Sequence, residues 1–383
     1  MNGCNSRCCD VLFLIRSMGR GGAERQLSLL ARALHVRGLR VAVAVFYSGG
    51  ALEAELHEAG VEVIDLQKGG RWSGLGTIRR LMAVVCRRRP HVLHSYMPAQ
   101  NVLALLLGSW LARRGCAVVC GIRVASLDSW QYGVVAWLVN IVQRMLLSRA
   151  DCVISNSARG LKELESRIAP GCGFAIPNGV EWGRFNFSAE ARLNLRAKWR
   201  VQPEGIAIGL VGRLDPQKNH CLLIDALQLL RRRRPEAVAV FVGDGSAEYK
   251  ARLQARIQAA GLSAAVHWVG HTDDLVGAYS AIDILCLSSV AEGFPNVLAE
   301  AMCAGLPCVT TDVGDAVHLV GDCGWMVAPN DANALGSALE EAVESLPRWD
   351  RARPRLRMIQ HFSVEVLADR TISALGPLLR SSA

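Results

Sequence analysis

From Val11 almost to the end of the chain, short apolar runs rich in β-branched residues alternate with segments of helical period, and this rhythm constrains the fold more than any single motif. In the first half the strand candidates are VLFLIRS, VAVAVFY, VEVIDL, HVLHSY, AVVCGIR, CVISNS and FAIPNG. The second half repeats the pattern with IAIGLVG, VAVFVGDG, VHWVG, ILCLSS and PCVTTD. Between them lie helical patterns such as AERQLSLLARALHVRG, which puts Leu27, Leu30, Ala31 and Leu34 on one face. Runs this continuously apolar are buried on both faces, which predicts parallel sheets in an α/β fold. At 383 residues the chain exceeds what one core serves, so two Rossmann-like domains are expected. The interval 181–204, with Gly183, Phe185, a polar helix and Pro203, reads as the link. The domains expected are then 1–185 and 186–362, with a C-terminal helix in 363–383 packing back on the first.

Ligands of open parallel sheets bind at the carboxyl ends of the strands, and with two such domains the site is expected in the cleft between them. Four post-strand loops then matter. RSMGRGGAERQL offers Gly19, Gly21 and Gly22 for close backbone approach, followed by a helix start that favours an anion. It matches neither a dinucleotide fingerprint nor a Walker A loop, and an ordinary tight turn would use the same glycines. LVGRLDPQKNH sets Arg213 and Lys218 five apart across a turn, a spacing that brings a guanidinium and an ammonium onto one diphosphate. Taken alone, this loop reads equally as a solvated surface. FVGDGSAEY is a second glycine turn, with Gly243 placed to approach a nucleoside. In AEGFPNVLAEAMCAGLP, Pro295 suits a first helical turn and Gly305 ends the helix before Pro307. The backbone around Phe294, Pro295 and Asn296 makes an anion-tolerant helix start. Glu292 and Glu300 are carboxylates that accept hydrogen bonds from vicinal hydroxyls, as on a sugar and a ribose.

Composition removes several classes. A membrane span needs about 20 apolar residues. NVLALLLGSWLA and GVVAWLVNIVQRMLL are shorter, the second being interrupted by Gln143 and Arg144, so both read as buried helices. No signal peptide is visible in MNGCNSRCCDVLFLIR. Thirteen cysteines, an odd number without a C-x-x-C, and no histidine cluster point to a reducing compartment and no metal. Cys286, Cys303 and Cys308 stand in apolar runs and read as small hydrophobes. Residues 1–185 carry 23 Lys and Arg against 12 Asp and Glu, whereas the remainder carries 20 against 22. The whole positive excess therefore lies in the first half, which favours an anionic lipid surface or a phosphorylated substrate. Nucleic acid is not expected, because aromatic and basic residues do not interleave. Solvated arginine-rich helix faces are the alternative.

The motifs EGFPNVLAEAMCAGLPCV, VGRLDPQKN, IPNGV, ISNSA and GRGGAE, in this order from the C-terminal end backwards, resemble the retaining nucleotide-sugar glycosyltransferases of family 4, over roughly residues 10–345. The resemblance implies a GT-B fold, with the acceptor on the N-terminal domain and the donor on the C-terminal one. It implies that Arg213 and Lys218 neutralise the donor diphosphate, that Glu292 lies near the donor sugar hydroxyls, and that Glu300 holds the ribose. Gly21 and Gly22 match the glycine loop that approaches the donor phosphates. The chain departs from the family at HSYMP, where the frequent H-x-H keeps His94 but has Tyr96 at the second position. His94, Tyr96 and Arg123 are therefore secondary candidates for substrate contact, with a core role as the alternative for His94. A frequent Gly-Gly after the motif helix is replaced by VGDAV, with Asp315 at its second position.

By the resemblance, a hexose moves from a UDP- or GDP-linked donor to a hydroxyl of a glycan or lipid-diphosphate-linked acceptor, in polysaccharide or glycolipid synthesis. Fixed cations stand where a metal would otherwise be required, so no cofactor is expected. A front-face mechanism, in which the leaving phosphate helps deprotonate the acceptor, is favoured over Glu292 as a covalent nucleophile. The expected setting is cytoplasmic, peripheral on the inner membrane face. Two other readings share the architecture: a sugar-nucleotide epimerase or hydrolase, and a non-catalytic sugar-nucleotide-binding partner.

Overall fold

A computed structural model describes residues 9–69, 74–123 and 133–380. The first half of the N-terminal stretch read above for a signal peptide, with Cys4 and Cys8, lies outside the described residues. Two compact units result. One comprises the residues up to Gly179 together with those from Val364 on, and the other is Val180–Ser363.

The first unit is built on β1 (Val11–Ile15), β2 (Val41–Val45), β3 (Glu62–Asp65), β4 (Val92–Tyr96), β5 (Ala117–Ile122), β6 (Cys152–Ser155) and β7 (Gly173–Ala175), in the order β3-β2-β1-β4-β5-β6-β7. Every pairing is parallel, with Val11 opposite both Val41 and Val92. β1 is buried along its whole length because helices cover both faces of the sheet. Removing each such Val, Leu or Ile side chain from water contributes about 1.5–3 kcal/mol. The last helix, Val364–Arg380, packs on the helix Gly22–Val36, where Leu367, Ala368 and Leu375 join Leu27, Leu30 and Leu34 in one core. Gln26 fastens this corner. Its amide donates to Gly179 O at 2.8 Å and accepts from Gly179 N at 3.0 Å.

The second unit holds β8 (Ile206–Val211), β9 (Ala237–Val242), β10 (Val266–Gly270), β11 (Ile284–Leu287), β12 (Cys308–Thr311) and β13 (Gly324–Val327), all parallel in the order β10-β9-β8-β11-β12-β13. This is the doubly wound order, and its switch point lies between β8 and β11. β13 was not among the strand candidates. The interval read as a link is folded into this unit: the helix Ala189–Lys198 packs on the helix Leu275–Ala281. Arg192 and Arg196 clasp Asp283 at 2.6 and 2.9 Å, and Arg196 also donates to Gln202 O. No helix among the described residues is long and apolar enough to cross a membrane.

Candidate active site

In the second unit the two loops flanking the switch point are stitched together. β8 pairs with β11, Leu285 lying opposite Gly209, so the segments that follow them leave the sheet side by side. Val290 N donates to Gln217 O at 2.9 Å, and Gln217 Nε2 donates to Ala291 O at 2.6 Å. Ser288 Oγ donates to Lys218 O and Asn219 O, both at 3.0 Å. Asp215 caps the tight turn Pro216–Lys218 by accepting from Gln217 N.

This frame brings Lys218 and Glu292 together, with Lys218 Nζ 2.6 Å from Glu292 Oε1 and both side chains mostly shielded from water. Ser289 Oγ donates to the same oxygen at 2.7 Å. Arg213 stands apart, 69% exposed and 3.9 Å from Asp215, so its guanidinium remains in water beside the turn. One loop thus carries an exposed arginine and, five residues on, a shielded lysine, two cations suited to an anionic group.

The motif helix runs Asn296–Cys303, one residue later than the sequence suggested, with Pro295 as its N-cap rather than in its first turn. Glu300 lies inside it, buried, and its Oε2 accepts from Tyr279 Oη at 2.7 Å. The Phe294 ring is turned into the core, 5.8 Å from Phe362, so only its backbone remains for a ligand. Gly314 allows the segment after β12 to approach closely, since a Cβ there would lie 2.2 Å from Glu292 O. Asp315, at the departure from the family pattern, donates its N–H to Gly293 O at 3.0 Å. Gly243 has a packing reason of its own. At φ +138°, a Cβ would fall 1.9 Å from Gly212 O, just before Arg213.

In the first unit Gly21 caps the helix Gly22–Val36 with no side-chain hydrogen bond, and the carboxylate of Glu24 folds back over it. An acid in this turn is favoured by the helix dipole. At the end of β4, Tyr96 is fully buried, and its hydroxyl accepts from Arg123. The guanidinium sits 4.2 Å from the Tyr96 ring centre and also donates to Asn178 Oδ1 at 3.2 Å. Burial pushes the Tyr96 phenol up, with Arg123 opposing. His94 is a packed ring, fully buried and 5.2 Å from Phe13 and 4.9 Å from Tyr96. Burial, and then Arg123, hold it well below the ordinary imidazole range, so it is neutral.

Ser289, Gln217, Tyr279 and Asn178 complete these clusters and were not singled out by sequence. Asn178 and Gln217 carried a signal, as parts of IPNGV and VGRLDPQKN. No group of three or more His, Cys, Asp or Glu among the described residues could hold a metal ion.

A family model described as glycosyl transferases group 1 matches residues 205–345, and a glycosyl transferase 4-like domain model matches residues 21–179. The chain is 27% identical to the lipopolysaccharide core biosynthesis mannosyltransferase LpsB of Rhizobium meliloti, over 62% of this chain and 68% of that one. It is 25% identical to the phosphatidyl-myo-inositol mannosyltransferase of Mycobacterium tuberculosis, over 88% and 86%. The crystal structure of Anabaena Alr3699/HepE in complex with UDP superposes with a TM-score of 0.81 at 23% identity, covering 96% of this chain and all of that one. That likeness carries the fold, which is GT-B. With both halves matched, over more than half of its length in total, the chain belongs to the group 1 glycosyltransferases with a 4-like first half.

Proposed function

We propose that the second unit binds a nucleotide-linked hexose and that the sugar passes, with retained anomeric configuration, to a hydroxyl acceptor held by the first. The observation that carries this reading is the 2.6 Å contact of Lys218 with Glu292, set by two cross-bonded loops at the β8/β11 switch point. A lysine held by a carboxylate is poised beside the exposed Arg213, and both cations can take the charge that grows on a departing diphosphate. In this reading Glu292 faces the transferred sugar and Glu300, steadied by Tyr279, holds the ribose. The backbone of Phe294, Pro295 and Asn296 and the glycines Gly21, Gly22 and Gly243 approach the donor. Tyr96 and Arg123 serve the substrate side, while buried His94 acts only through its packing against Tyr96. Two fixed cations make a metal unnecessary for leaving-group departure.

The substrates follow from chemistry and relatives. The neighbour solved with UDP supports a uridine donor. The mannosyltransferase relatives, which by name build a lipopolysaccharide core or a phosphatidylinositol mannoside, support a glycan or lipid-linked acceptor in surface polysaccharide or glycolipid synthesis. The setting is cytoplasmic and peripheral to the membrane. The test is a thermal-shift screen of UDP- and GDP-hexoses, followed by transfer assays in EDTA with the product anomer read by NMR. Stabilisation by one nucleotide sugar and acceptor-dependent release of the nucleoside diphosphate are expected. Release or epimerisation of the sugar without any acceptor would replace this reading with that of a hydrolase or epimerase.

A further inference from the structure

Two cations gather on one phenol at the carboxyl ends of β1, β2 and β3. Lys68 Nζ donates to Tyr47 Oη at 2.9 Å, and the Arg16 guanidinium stands 5.8 Å from the centre of the same ring. Neither cation has an ion pair among the described residues. Arg16 and Tyr47 are exposed and Lys68 is half-buried. The carboxylates on these segments are already used. Asp65 accepts from Ser48 Oγ at 2.8 Å and Gln67 N at 2.6 Å, and Glu53 accepts from Gly50 N at 2.9 Å. Like charges gathered on one ring repel, and an anion between them turns that cost into attraction.

The backbone builds this arrangement. Phe46 N and Tyr47 N both donate to Arg16 O at 3.0 Å, and Lys68 N donates to Phe46 O at 2.9 Å, so the segments leaving the three strands stay bonded to one another. Gln67 adopts a left-handed φ of +46°, and the turn it makes after β3 is held from the helix Gly74–Arg88. There Arg80 donates to Leu66 O at 3.1 Å and to Gln67 O at 2.8 Å. The loops after β1 and β2 are joined as well. Leu52 N donates to Met18 O at 2.9 Å, and Gly50 is required because a Cβ there would lie 2.3 Å from Met18 O.

We propose that Arg16, Tyr47 and Lys68 form a subsite for a phosphate monoester carried by the acceptor. Lys68 takes the phenol oxygen as its acceptor, which leaves the Tyr47 proton free to be donated. A ligand there meets three donors of different shape: an ammonium, a phenol O–H and a guanidinium fork. A phosphate monoester has three terminal oxygens to offer them, whereas a carboxylate has two. The strand order puts the switch point of this sheet between β1 and β4. Tyr96 and Arg123 lie on the β4 and β5 side of it, and the cluster lies on the side of β1, β2 and β3. An acceptor that crosses the switch point thus sets its hydroxyl near Tyr96 and Arg123 and its phosphate against Lys68. The assignment to an acceptor rests on the reading that the first unit holds it, but phosphate binding itself does not need the transfer reaction.

The test labels the full chain, which has five tyrosines, with 3-fluorotyrosine and follows its fluorine NMR spectrum at neutral pH. Tyr47→Phe identifies the Tyr47 signal. Inorganic phosphate and glucose 6-phosphate should move that signal to saturation, whereas glucose, and sodium chloride at matched ionic strength, should not. Arg16→Gln and Lys68→Gln should each raise the half-saturating concentration about tenfold, the weight of one charge-assisted bond. The remaining tyrosine signals should keep their places in both variants, which reports that they fold. A Tyr47 signal unmoved by phosphate, a shift shared by sodium chloride, or half-saturation unchanged by the two substitutions would overturn the proposal. So would tighter binding of glucuronate, which would assign the site to a carboxylate, or equal binding of dimethyl phosphate, which would assign it to a diester. Donor binding is read from Tyr279 beside Glu300 in the second unit, so this inference and the donor reading fall separately.

Discussion

Lys218 Nζ meets Glu292 Oε1 at 2.6 Å across 74 residues of sequence, and Ser289 Oγ donates to the same oxygen. One carboxylate oxygen is therefore occupied twice before any ligand arrives, and the ammonium is held in place by it. Lys218→Ala should lower kcat/KM for transfer by about 100- to 1,000-fold, the scale seen when one charge-stabilising donor is lost. Glu292→Gln keeps the shape and Ser289's partner but releases the lysine, and it should lower kcat with a smaller change in melting temperature. Steady-state kinetics with the donor found by thermal shift decide this, and unchanged kcat/KM for Lys218→Ala would remove the diphosphate role.

Glu300 and Tyr279 give a different signature. The carboxylate is buried in the motif helix and shares a 2.7 Å hydrogen bond with the phenol. Tyr279→Phe should cost about 1.5–3 kcal/mol of stability, the net value of a hydrogen bond to a carboxylate. If Glu300 holds the ribose in both ground and transition states, Glu300→Gln raises KM for the donor about tenfold with kcat nearly kept. A fall in kcat at saturating donor would move Glu300 to the reacting centre.

The sheets were legible because their strands are buried on both faces, as VLFLI in β1 is at every position. β13 escaped because it is an edge strand, with Met326 exposed and glycine at its start, so GWMV is neither continuous nor alternating. The loops that carry Arg213, Lys218, Glu292 and Glu300 were legible by residue type and position after strands. Their contacts were not: Gln217 and Lys218 reach Ala291 and Glu292, 74 residues away, only once the strand order sets β8 beside β11. His94 shows the same limit. Spacing left it as ligand or core, and only the rings of Phe13 and Tyr96 around it make it a neutral packed residue. The helix Val134–Leu146 departs from its reading as a buried helix: the residue of it that is buried is Gln143, which interrupts the apolar run.

Glycines on the donor loops should respond unequally to a methyl group. Gly243→Ala sets a Cβ 1.9 Å from Gly212 O at a φ of +138°, and neither backbone can yield without displacing Arg213. A loss of at least about 2 kcal/mol and weakened nucleotide-sugar binding are expected. Gly19 has open space around it, so Gly19→Ala should stay within about 0.5 kcal/mol. Paired chemical denaturation and donor titration check the contrast, and equal effects at the two sites would show that the Gly212–Gly243 approach is not a constraint.

His220 follows Lys218 and Asn219 into the next helix, fully buried, with its ring 5.0 Å from Phe241 and 6.1 Å from Tyr249. Burial first, and then the Lys218 charge, push its imidazole down to about 4, with Asp215 opposing. In the unfolded chain the ring takes its proton as pH falls through about 6.5. The unfolded state thus binds more protons between about 6.5 and 4. The stabilisation from a neutral His220 is complete above that window and is withdrawn as pH falls through it, by roughly 3 kcal/mol in all. His94 contributes with the same sign in the first unit. His220→Phe cannot titrate, so whatever its offset at pH 7, its unfolding free energy should fall less steeply from about pH 6.5 to 4.5. Urea unfolding of both proteins at several pH values measures the two slopes, and parallel slopes would mean that His220 takes up its proton as readily in the folded protein as in the unfolded chain.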